Sequence, residues 1–413
     1  MRIPALLSSL SLALAVQGCG ASGSNEQPVD PDFTVGALVD LSGDSSEADQ
    51  YLQAAILQGA QAAAASGVTI AVVTRDTQGD PATTAQQLQE LLDQGIRVFV
   101  GLSSSTEAQA ALPLANAAGA LLVSTGSTAQ TLAIPSDALY RLTPTNDVLM
   151  QAVLDLLKLR GVSSLVTVNR QDLGNQEESN ELRRLAQNAG IALQPAISYP
   201  ADTTAFSAVA EQVNNAVLAA GASPYTAVQV SGFNEVSSLF ADCNVYETLQ
   251  ATSFYGSDGF SQDNDIISSA GPAFFSLGAG SVPSPVLAVP PDREAQAGQV
   301  SSAIGDPYPD SYSLNGYDAL MIFADAFRLD PSFGSGGSSD RAAFVAAADG
   351  YDGLTGTIEL DAAGDRVTGT YAFWGVCTLG GLINWYPIAS WSPSSPSSTR
   401  GTAAFQGCPA QGT

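Results

Sequence analysis

Short apolar segments alternate with longer amphipathic segments along most of this chain. The clearest unit spans residues 98–128: an apolar strand, a hydroxyl loop at 103–106, a helix over about 107–118, a second apolar strand and a second hydroxyl loop at 124–128. Both loops follow the carboxyl ends of their strands, and in an open parallel sheet those ends lie at the edge where α/β proteins bind ligands. The first loop also leads into a helix N-terminus, whose free N–H groups attract a small anion such as a carboxylate.

The same alternation extends in both directions from this unit. It begins at residue 33, pauses near residues 141–146 and then resumes to about residue 256. This rhythm predicts two α/β lobes of similar size, each with a mostly parallel sheet covered by helices on both faces. The later part is less regular and ends in a Pro/Ser tract near residues 392–399, which is typical of a surface loop.

Composition narrows the possible functions. The 413 residues are enough for two domains, and the formal net charge of −26 argues against nucleic acid as a partner. The sequence contains no histidine, which removes Ser-His and Cys-His catalysis and the commonest metal ligand. We find no nucleophile elbow, phosphate-binding glycine loop or metal-ligand motif. We therefore expect no enzyme activity, no cofactor and no metal.

The N-terminus predicts export. Arg2 precedes an apolar run over residues 3–16 that is too short to span a bilayer, so residues 1–18 are expected to be a signal peptide. Residues 16–19, Val-Gln-Gly-Cys, resemble the bacterial lipobox, in which the signal is cut before a cysteine that carries lipid; an ordinary secretory peptide cut elsewhere is the alternative. Residues 19–32 are polar and predict a tether. We expect a lipoprotein anchored through Cys19, in the periplasm or on the cell surface.

Three further cysteines are Cys243, Cys377 and Cys408. Export is compatible with a disulfide, and Cys377 with Cys408 is the economical pair because it would pin the C-terminal tail, residues 391–413. Cys243 is then expected to be a buried thiol. The sequence alone leaves the pairing open.

A series of short blocks resembles, in order and spacing, the type I periplasmic solute-binding proteins, specifically the branched-chain amino-acid receptors that serve ABC importers. The blocks are VGAL at 35–38, LSG at 41–43, VGLSSS at 100–105, VSTGST at 123–128, YRLTP at 140–144, DTTAFS at 202–207, YGSDG at 255–259, GYDA at 316–319, GLTGT at 353–357 and GD at 364–365. The resemblance implies two doubly wound, Rossmann-like α/β lobes joined by three crossovers that close over a ligand.

The resemblance also implies how the lobes are assembled. The crossovers would lie near residues 142–146, 277–282 and 351–355. Lobe 1 would combine residues 33–143 with 282–352, and lobe 2 would combine residues 144–281 with 353–390.

Receptors of this family hold the ligand carboxylate with hydroxyl and backbone N–H groups of lobe 1 and the ligand amino group with an acidic residue of lobe 2. By motif position, Ser103, the Gly126 backbone and Thr128 would contact the carboxylate, and Asp258 would pair with the ammonium group. Without the family, Ser103 and Thr128 could be ordinary strand-end hydroxyls and Asp258 a turn residue.

Two positions depart from the family pattern. Leu173 before Gly174, and Phe233 after Gly232, stand where the family often has tyrosine on lobe 2. Losing two phenolic hydroxyls makes this wall more apolar, so the ligand need not be leucine, isoleucine or valine, or even an amino acid. Phe233 is compatible with the core as well as with the cleft wall.

Two functions follow from these observations. The first is a monomeric, lipid-anchored receptor that captures an amino acid or similar small polar solute for an ABC permease. The alternative is an interaction or sensor lipoprotein that uses the same fold to recognise a protein or signal.

Overall fold

The computed structural model describes residues 30–277, 281–395, 398 and 400–409. The predicted signal peptide and the predicted lipidation residue Cys19 lie outside the described residues. Within the described ranges, no helix has both the length and the apolar character needed to cross a membrane.

Helices and strands alternate through most of the chain, as the hydrophobic pattern predicts. In chain order the elements are β1 (Phe33–Val39), α1 (Ser46–Ala65), β2 (Ile70–Asp76), α2 (Pro81–Asp93), β3 (Val98–Gly101), α3 (Ser105–Ala118), β4 (Leu121–Ser124), β5 (Leu139–Pro144), α4 (Asn146–Leu159), β6 (Ser164–Arg170), α5 (Leu173–Asn188), β7 (Ala192–Leu193), β8 (Ile197–Tyr199), α6 (Ser207–Ala219), β9 (Thr226–Ser231), α7 (Val236–Cys243), α8 (Glu247–Gln250), β10 (Ser253–Tyr255), α9 (Asn264–Ser276), β11 (Ser284–Leu287), α10 (Glu294–Ile304), α11 (Ser311–Leu329), α12 (Ser338–Ala348), β12 (Tyr351–Gly353), β13 (Gly356–Ile358), β14 (Asp365–Arg366), β15 (Tyr371–Leu379), β16 (Leu382–Pro393) and β17 (Gly401–Phe405).

The strands form two parallel sheets and one antiparallel sheet, with β12 and β13 as a separate hairpin. The first parallel sheet has the order β14-β5-β4-β3-β1-β2. The second has the order β10-β9-β6-β7, with β8 also paired to β6. The antiparallel sheet has the order β11-β15-β16-β17.

Each parallel sheet is covered by helices on both faces. The two sheets with their helices form two lobes. In lobe 1, α1, α11 and α12 pack on one face of the first sheet, and α2 and α3 pack on the other. In lobe 2, α6, α7 and α9 share a core with the second sheet, while α4 and α5 share another that extends to the antiparallel sheet. This arrangement confirms the predicted α/β class with doubly wound lobes.

Strand pairing shows where the chain passes between the lobes. The first passage lies between β5, which ends at Pro144, and α4, which begins at Asn146, inside the expected range of 142–146. The second was expected at 277–282, but β11 pairs with β15 in lobe 2, so the chain leaves that lobe only after Leu287.

The third passage also falls later than expected. Residues 353–366 were expected in lobe 2, yet Asp365 pairs with Arg141 of β5 in lobe 1. The chain therefore crosses between β14 and β15 rather than at 351–355. Strands as short as β11 and β14 carry little periodic signal, which explains why the sequence pattern misses them.

The C-terminal part is more ordered than the expected tail at 391–413. β17 adds to the edge of the antiparallel sheet by pairing with β16. Cys377 and Cys408 are joined in a disulfide, the pairing that the sequence favours. Cys243 is a buried free thiol, and burial raises its pKa to about 12, so it is a poor nucleophile.

Candidate functional site

A cavity of about 70 Å³ between the two lobes is the candidate site. Lobe 1 contributes the first turns of α1, the loops after β3 and β4, and residues around the start of α11. Lobe 2 contributes the start of α5, the loop after β9 and the loop that leads from β10 to α9.

Five of the six ligand contacts expected from the sequence line this cavity: Ser103, Gly126, Thr128, Phe233 and Asp258. The sixth, Leu173, is not among the described residues that line it. The Leu173 side chain packs against the lobe 1 core near α2 and α3, and its N–H donates to Thr106 Oγ1 at 3.2 Å. Gly174 lines the cavity instead, so Leu173 is corrected from a ligand contact to a contact between lobes.

The backbone after β3 turns sharply and brings residues 103–105 to the cavity. Gly101 has a φ of 114°, and a Cβ there would lie 2.1 Å from the Leu38 carbonyl oxygen, so only glycine fits. The turn places Ser104 at the N-cap of α3, where its side chain makes no capping hydrogen bond in the described structure. The N-terminus of α3 is therefore open to an anion.

The second hydroxyl loop is fastened to the first by Ser105. Its Oγ accepts the N–H groups of Thr128 at 3.2 Å and Ala129 at 3.1 Å. The Thr128 carbonyl accepts the N–H of Asn146 at 2.8 Å, which ties the loop to the first crossover. The Thr128 backbone is therefore structural, and its side chain is what it offers to the cavity.

Ser103 is bonded to a carboxyl group that the sequence analysis missed. Its hydroxyl donates to Asp49 Oδ2 at 3.1 Å, and the Asp40 N–H donates to the same oxygen at 2.7 Å. Burial raises the pKa of Asp49 well above its ordinary value, and the nearby Glu107 carboxyl adds to the rise. Asp49 therefore lies close to the loop that leads into α3, and its burial favours the protonated form of its carboxyl group.

Asp258 occupies the lobe 2 wall and reaches across the cavity. The hydroxyl of Tyr312, at the start of α11, donates to Asp258 Oδ2. Burial raises the pKa of Asp258 to about 6, and the bond from Tyr312 opposes that rise. The Tyr312 ring also covers Gly126, where an added Cβ would lie 3.2 Å from the ring carbons.

Comparison with known proteins agrees with this geometry. A family model described as "Periplasmic binding protein" matches residues 32–376. The chain belongs to the periplasmic binding protein family. Members of this family are extracytoplasmic solute-binding proteins, which is the coarse function that membership gives.

Individual relatives of this periplasmic binding protein are distant. Uncharacterized protein MJ1266 of Methanocaldococcus jannaschii is 25% identical over 79% of this chain and 80% of its own length. A leucine binding protein, LivK, from Thermotoga maritima has a TM-score of 0.71 at 15% identity, covering 86% of this chain and 97% of that one. A solute binding protein from Rhodopseudomonas palustris in complex with 3,4-dihydroxybenzoic acid has a TM-score of 0.70 at 17% identity, with the coverage 86% and 97%.

Glu178 of α5, in lobe 2, is another carboxyl group that the sequence pattern does not reveal. It is only 3% exposed yet lines the cavity. Burial, together with the nearby Asp258, raises its pKa well above the ordinary value. A single acid in an amphipathic helix gives no sequence signal that it points inward, so nothing in the pattern marks it.

Phe233 forms part of the wall of this binding protein rather than its core. Its ring is half-buried, and the Arg170 guanidinium lies over it at 5.2 Å from the ring centre. Arg170 in turn bonds to Asp44 of lobe 1 at 2.5 Å. Phe233 and Arg170 therefore lie where the two lobes meet at the rim.

The lobes also meet at the start of α9. Glu47 Oε2 of α1 accepts the N–H groups of Asn264 at 2.9 Å and Asp265 at 3.1 Å. Burial and the Glu47 carboxyl raise the pKa of Asp263 to about 8. Carboxylate oxygens of Glu47, Asp263 and Asp265 lie within 4.8 Å of one another, a spacing that could hold a divalent cation. Hydrogen bonds already satisfy part of this group, and the raised pKa of Asp263 favours its protonated form.

Proposed function

We propose that this binding protein captures a small solute bearing an ammonium group, such as an amino acid, between its lobes and delivers it to an ABC permease. The position of Asp258 carries the proposal. Its partly buried carboxyl lines the same cavity as the open N-terminus of α3, so one wall suits a cation and the other an anion. An α-amino acid carries both groups.

The lobe 1 contacts would be neutral. We assign the ligand carboxylate to the Ser103 and Thr128 side chains, the Gly126 backbone and the N-terminus of α3, because these groups line one side of the cavity. Phe233 would contact the apolar part of the solute. The phenolic hydroxyl of Tyr312 now bonded to Asp258 would give way to the ligand ammonium.

Delivery requires the lobes to open and close. Direct contacts between them, such as Arg170 with Asp44 and Glu47 with the start of α9, describe a closed form. Because these few polar contacts lie at the cleft edge, a hinge motion at the three crossovers can break them and admit solute.

We also propose that lipid on Cys19 tethers the protein outside the cytoplasm, next to its permease. Expression of the full chain and its Cys19→Ala variant in a bacterial host tests this. Membrane fractions should retain the parent protein, whereas the variant should be released in soluble form or remain uncleaved.

A thermal-shift screen tests the main proposal. Purified protein is heated with amino acids, small carboxylates, amides and polyamines, each in turn. A solute at about a hundred times its dissociation constant should add roughly 2.7 kcal/mol to the free energy of unfolding. Stabilisation by one chemical group supports the receptor function. If folded, ligand-free protein responds to none of them, the interaction or sensor function replaces it.

A further inference from the structure

The wall of the cavity is acidic and has no basic side chain among its described lining residues. Among the described residues that line it, eight carry a carboxyl group and none is a lysine or arginine. One acidic residue would be enough to pair with one ligand ammonium. The excess therefore requires its own explanation.

Part of the excess has a structural cause. Asp172, Asp263 and Asp310 are the N-caps of α5, α9 and α11, where each accepts a backbone N–H. Asp172 also lies 3.3 Å from Arg170, which compensates its charge. These three residues are explained without a ligand.

Asp306 is not explained in this way. It is only 7% exposed, and its Oδ1 accepts the Tyr308 N–H at 2.9 Å. Its Oδ2 is buried and has no hydrogen-bond partner within the described part of the chain. An orphaned carboxylate oxygen in a cavity wall is costly unless a ligand satisfies it.

Gln262 gives a second, independent observation. It lines the cavity, is 4% exposed, and neither its amide nitrogen nor its amide oxygen has a partner among the described residues. Its backbone lies in the left-handed region at a φ of 67°, which costs energy for a residue other than glycine. A strained residue that presents an unsatisfied amide to a cavity is typical of a ligand contact.

Glu47 connects Asp306 with the loop that carries Gln262. Glu47 lies near Asp306 and near Asp263, the residue after Gln262, and its charge acts on both carboxyl groups. We call Glu47, Gln262, Asp263 and Asp306 the acidic end. Asp258 and Glu178 form another pair of interacting carboxyl groups, and the charge of Asp310 acts on both Asp258 and Asp306.

We infer that the solute is an organic dication, with one ammonium group at Asp258 and a second ammonium or guanidinium group in the acidic end, on Asp306 Oδ2 and the Gln262 amide oxygen. This inference rests on the proposed function, whose site it extends. Candidates of this class are basic amino acids and aliphatic diamines. Tyr51 also lines the cavity, and an aromatic ring is a favourable neighbour for a cation.

In the absence of solute, burial favours the protonated form of Asp306. Burial raises the pKa of Asp306 to about 7, with further contributions from Asp310 and Glu47. A cationic group in the acidic end would favour the ionised carboxylate and release that proton. A neutral solute would leave the carboxyl groups and the amide unsatisfied, which is how such a site would reject it.

Matched pairs of solutes test the inference. Calorimetric affinities of the purified protein are compared for lysine and norleucine, and for 1,5-diaminopentane and pentylamine, each pair differing in one amino group. We expect the doubly cationic member to bind on the order of 10- to 100-fold more tightly, as for a charge-assisted hydrogen bond. Asp306→Asn and Gln262→Gly should bring this ratio toward one. Asp93→Asn, which removes an exposed carboxylate outside the cavity, should keep it.

The outcomes separate this inference from the proposed function. Equal or tighter binding of norleucine and pentylamine would overturn the dication and leave the receptor function standing. Binding of calcium alone, abolished in Asp306→Asn with no response to any amine, would also overturn it in favour of a metal site. No binding of any small solute would overturn both.

Discussion

Tyr312 donates its hydroxyl hydrogen to the Asp258 carboxylate, so a hydrogen bond between two residues of the cavity wall joins the lobes at the candidate site. A ligand ammonium would give the same carboxylate a charge-assisted partner, which is stronger than a neutral phenol. The Asp258 carboxylate would therefore accept a hydrogen bond in both closed forms, from Tyr312 without solute and from the ligand ammonium with solute. Opening has to break this bond, and binding has to replace it.

Asp258→Asn should weaken the binding of an ammonium-bearing solute by on the order of 2–4 kcal/mol, because the variant leaves a buried cation without its counter-charge. Titration calorimetry of parent and variant measures the loss. Asp93→Asn serves as the control, since it changes the net charge equally from an exposed position. Unchanged affinity in Asp258→Asn would remove Asp258 from the site.

Stability of the ligand-free protein should fall as pH rises from about 5 to 8. Burial raises the pKa of Asp258 to about 6, of Asp306 to about 7 and of Asp263 to about 8, whereas the pKa of an unfolded aspartate is about 3.9. Between these values the folded chain binds more protons than the unfolded chain, so the free energy of unfolding decreases with pH. Groups whose pKa is lowered, such as Asp76 and Asp80, change the pH dependence of stability only at pH values below the ordinary pKa of aspartate.

Thermal unfolding followed across this pH range is the measurement. The midpoint should be higher at pH 5 than at pH 8, and Asp263→Asn should flatten the upper part of the profile while Asp93→Asn leaves its shape unchanged. Saturating solute should also flatten the profile, because a bound cation favours the ionised carboxylates. A midpoint that rises steadily from pH 5 to 8 would contradict the raised values.

The parts of the fold that the sequence predicts are those with strong periodic signals. β3 and β4 are buried along their whole length, which is typical of interior parallel strands, and their apolar runs are evident in the sequence. Their ends locate the hydroxyl loops, so Ser103, Gly126 and Thr128 can be placed from the pattern and the family resemblance. By contrast, the two residues of β14 have no period, and their pairing depends on tertiary contacts.

The acidic character of the site has no comparable signal. Asp49 and Glu178 lie in helices, and an acid at one helical position does not show whether it faces water or a cavity. Leu173 shows the converse error. It was expected at the cavity wall, but the next residue, Gly174, lies there and Leu173 packs against the lobe 1 core instead. Side-chain direction at a helix start depends on how the lobes meet.

Gly126→Ala should reduce solute affinity more than it reduces stability. A Cβ at this position would lie 3.0 Å from the Ser103 carbonyl oxygen and 3.2 Å from the Tyr312 ring, so the two lining elements must separate. We expect on the order of 1–2 kcal/mol of lost binding, within the range for overpacking. Calorimetry and urea unfolding of the same samples compare the two effects.

Gly298→Ala is the matched control for this change. Gly298 lies within α10, and an added Cβ there meets nothing within 4 Å. Alanine should therefore raise the free energy of unfolding by up to about 1 kcal/mol through helix propensity and leave affinity unchanged. Equal affinities in the two variants would show that the Gly126 contact does not shape the site.

Asp365→Asn should destabilise lobe 1 and loosen the site through Arg141. The guanidinium of Arg141 is 0% exposed and makes two 2.6 Å bonds to the Asp365 carboxylate, while Nη1 donates to the Ala129 carbonyl at 2.6 Å. The neutral asparagine side chain would leave the buried Arg141 guanidinium without its counter-charge, which should lower the free energy of unfolding by about 3–5 kcal/mol.

Urea unfolding measures this loss, and Asp325→Asn provides the reference because its partner Arg328 is exposed; that change should stay within about 1 kcal/mol. Since Arg141 also holds the loop that carries Gly126 and Thr128, solute affinity should fall together with stability in Asp365→Asn. A loss no larger than that of Asp325→Asn would mean that β14 is held by its backbone pairing alone, and the loop after β4 by Ser105 rather than by Arg141.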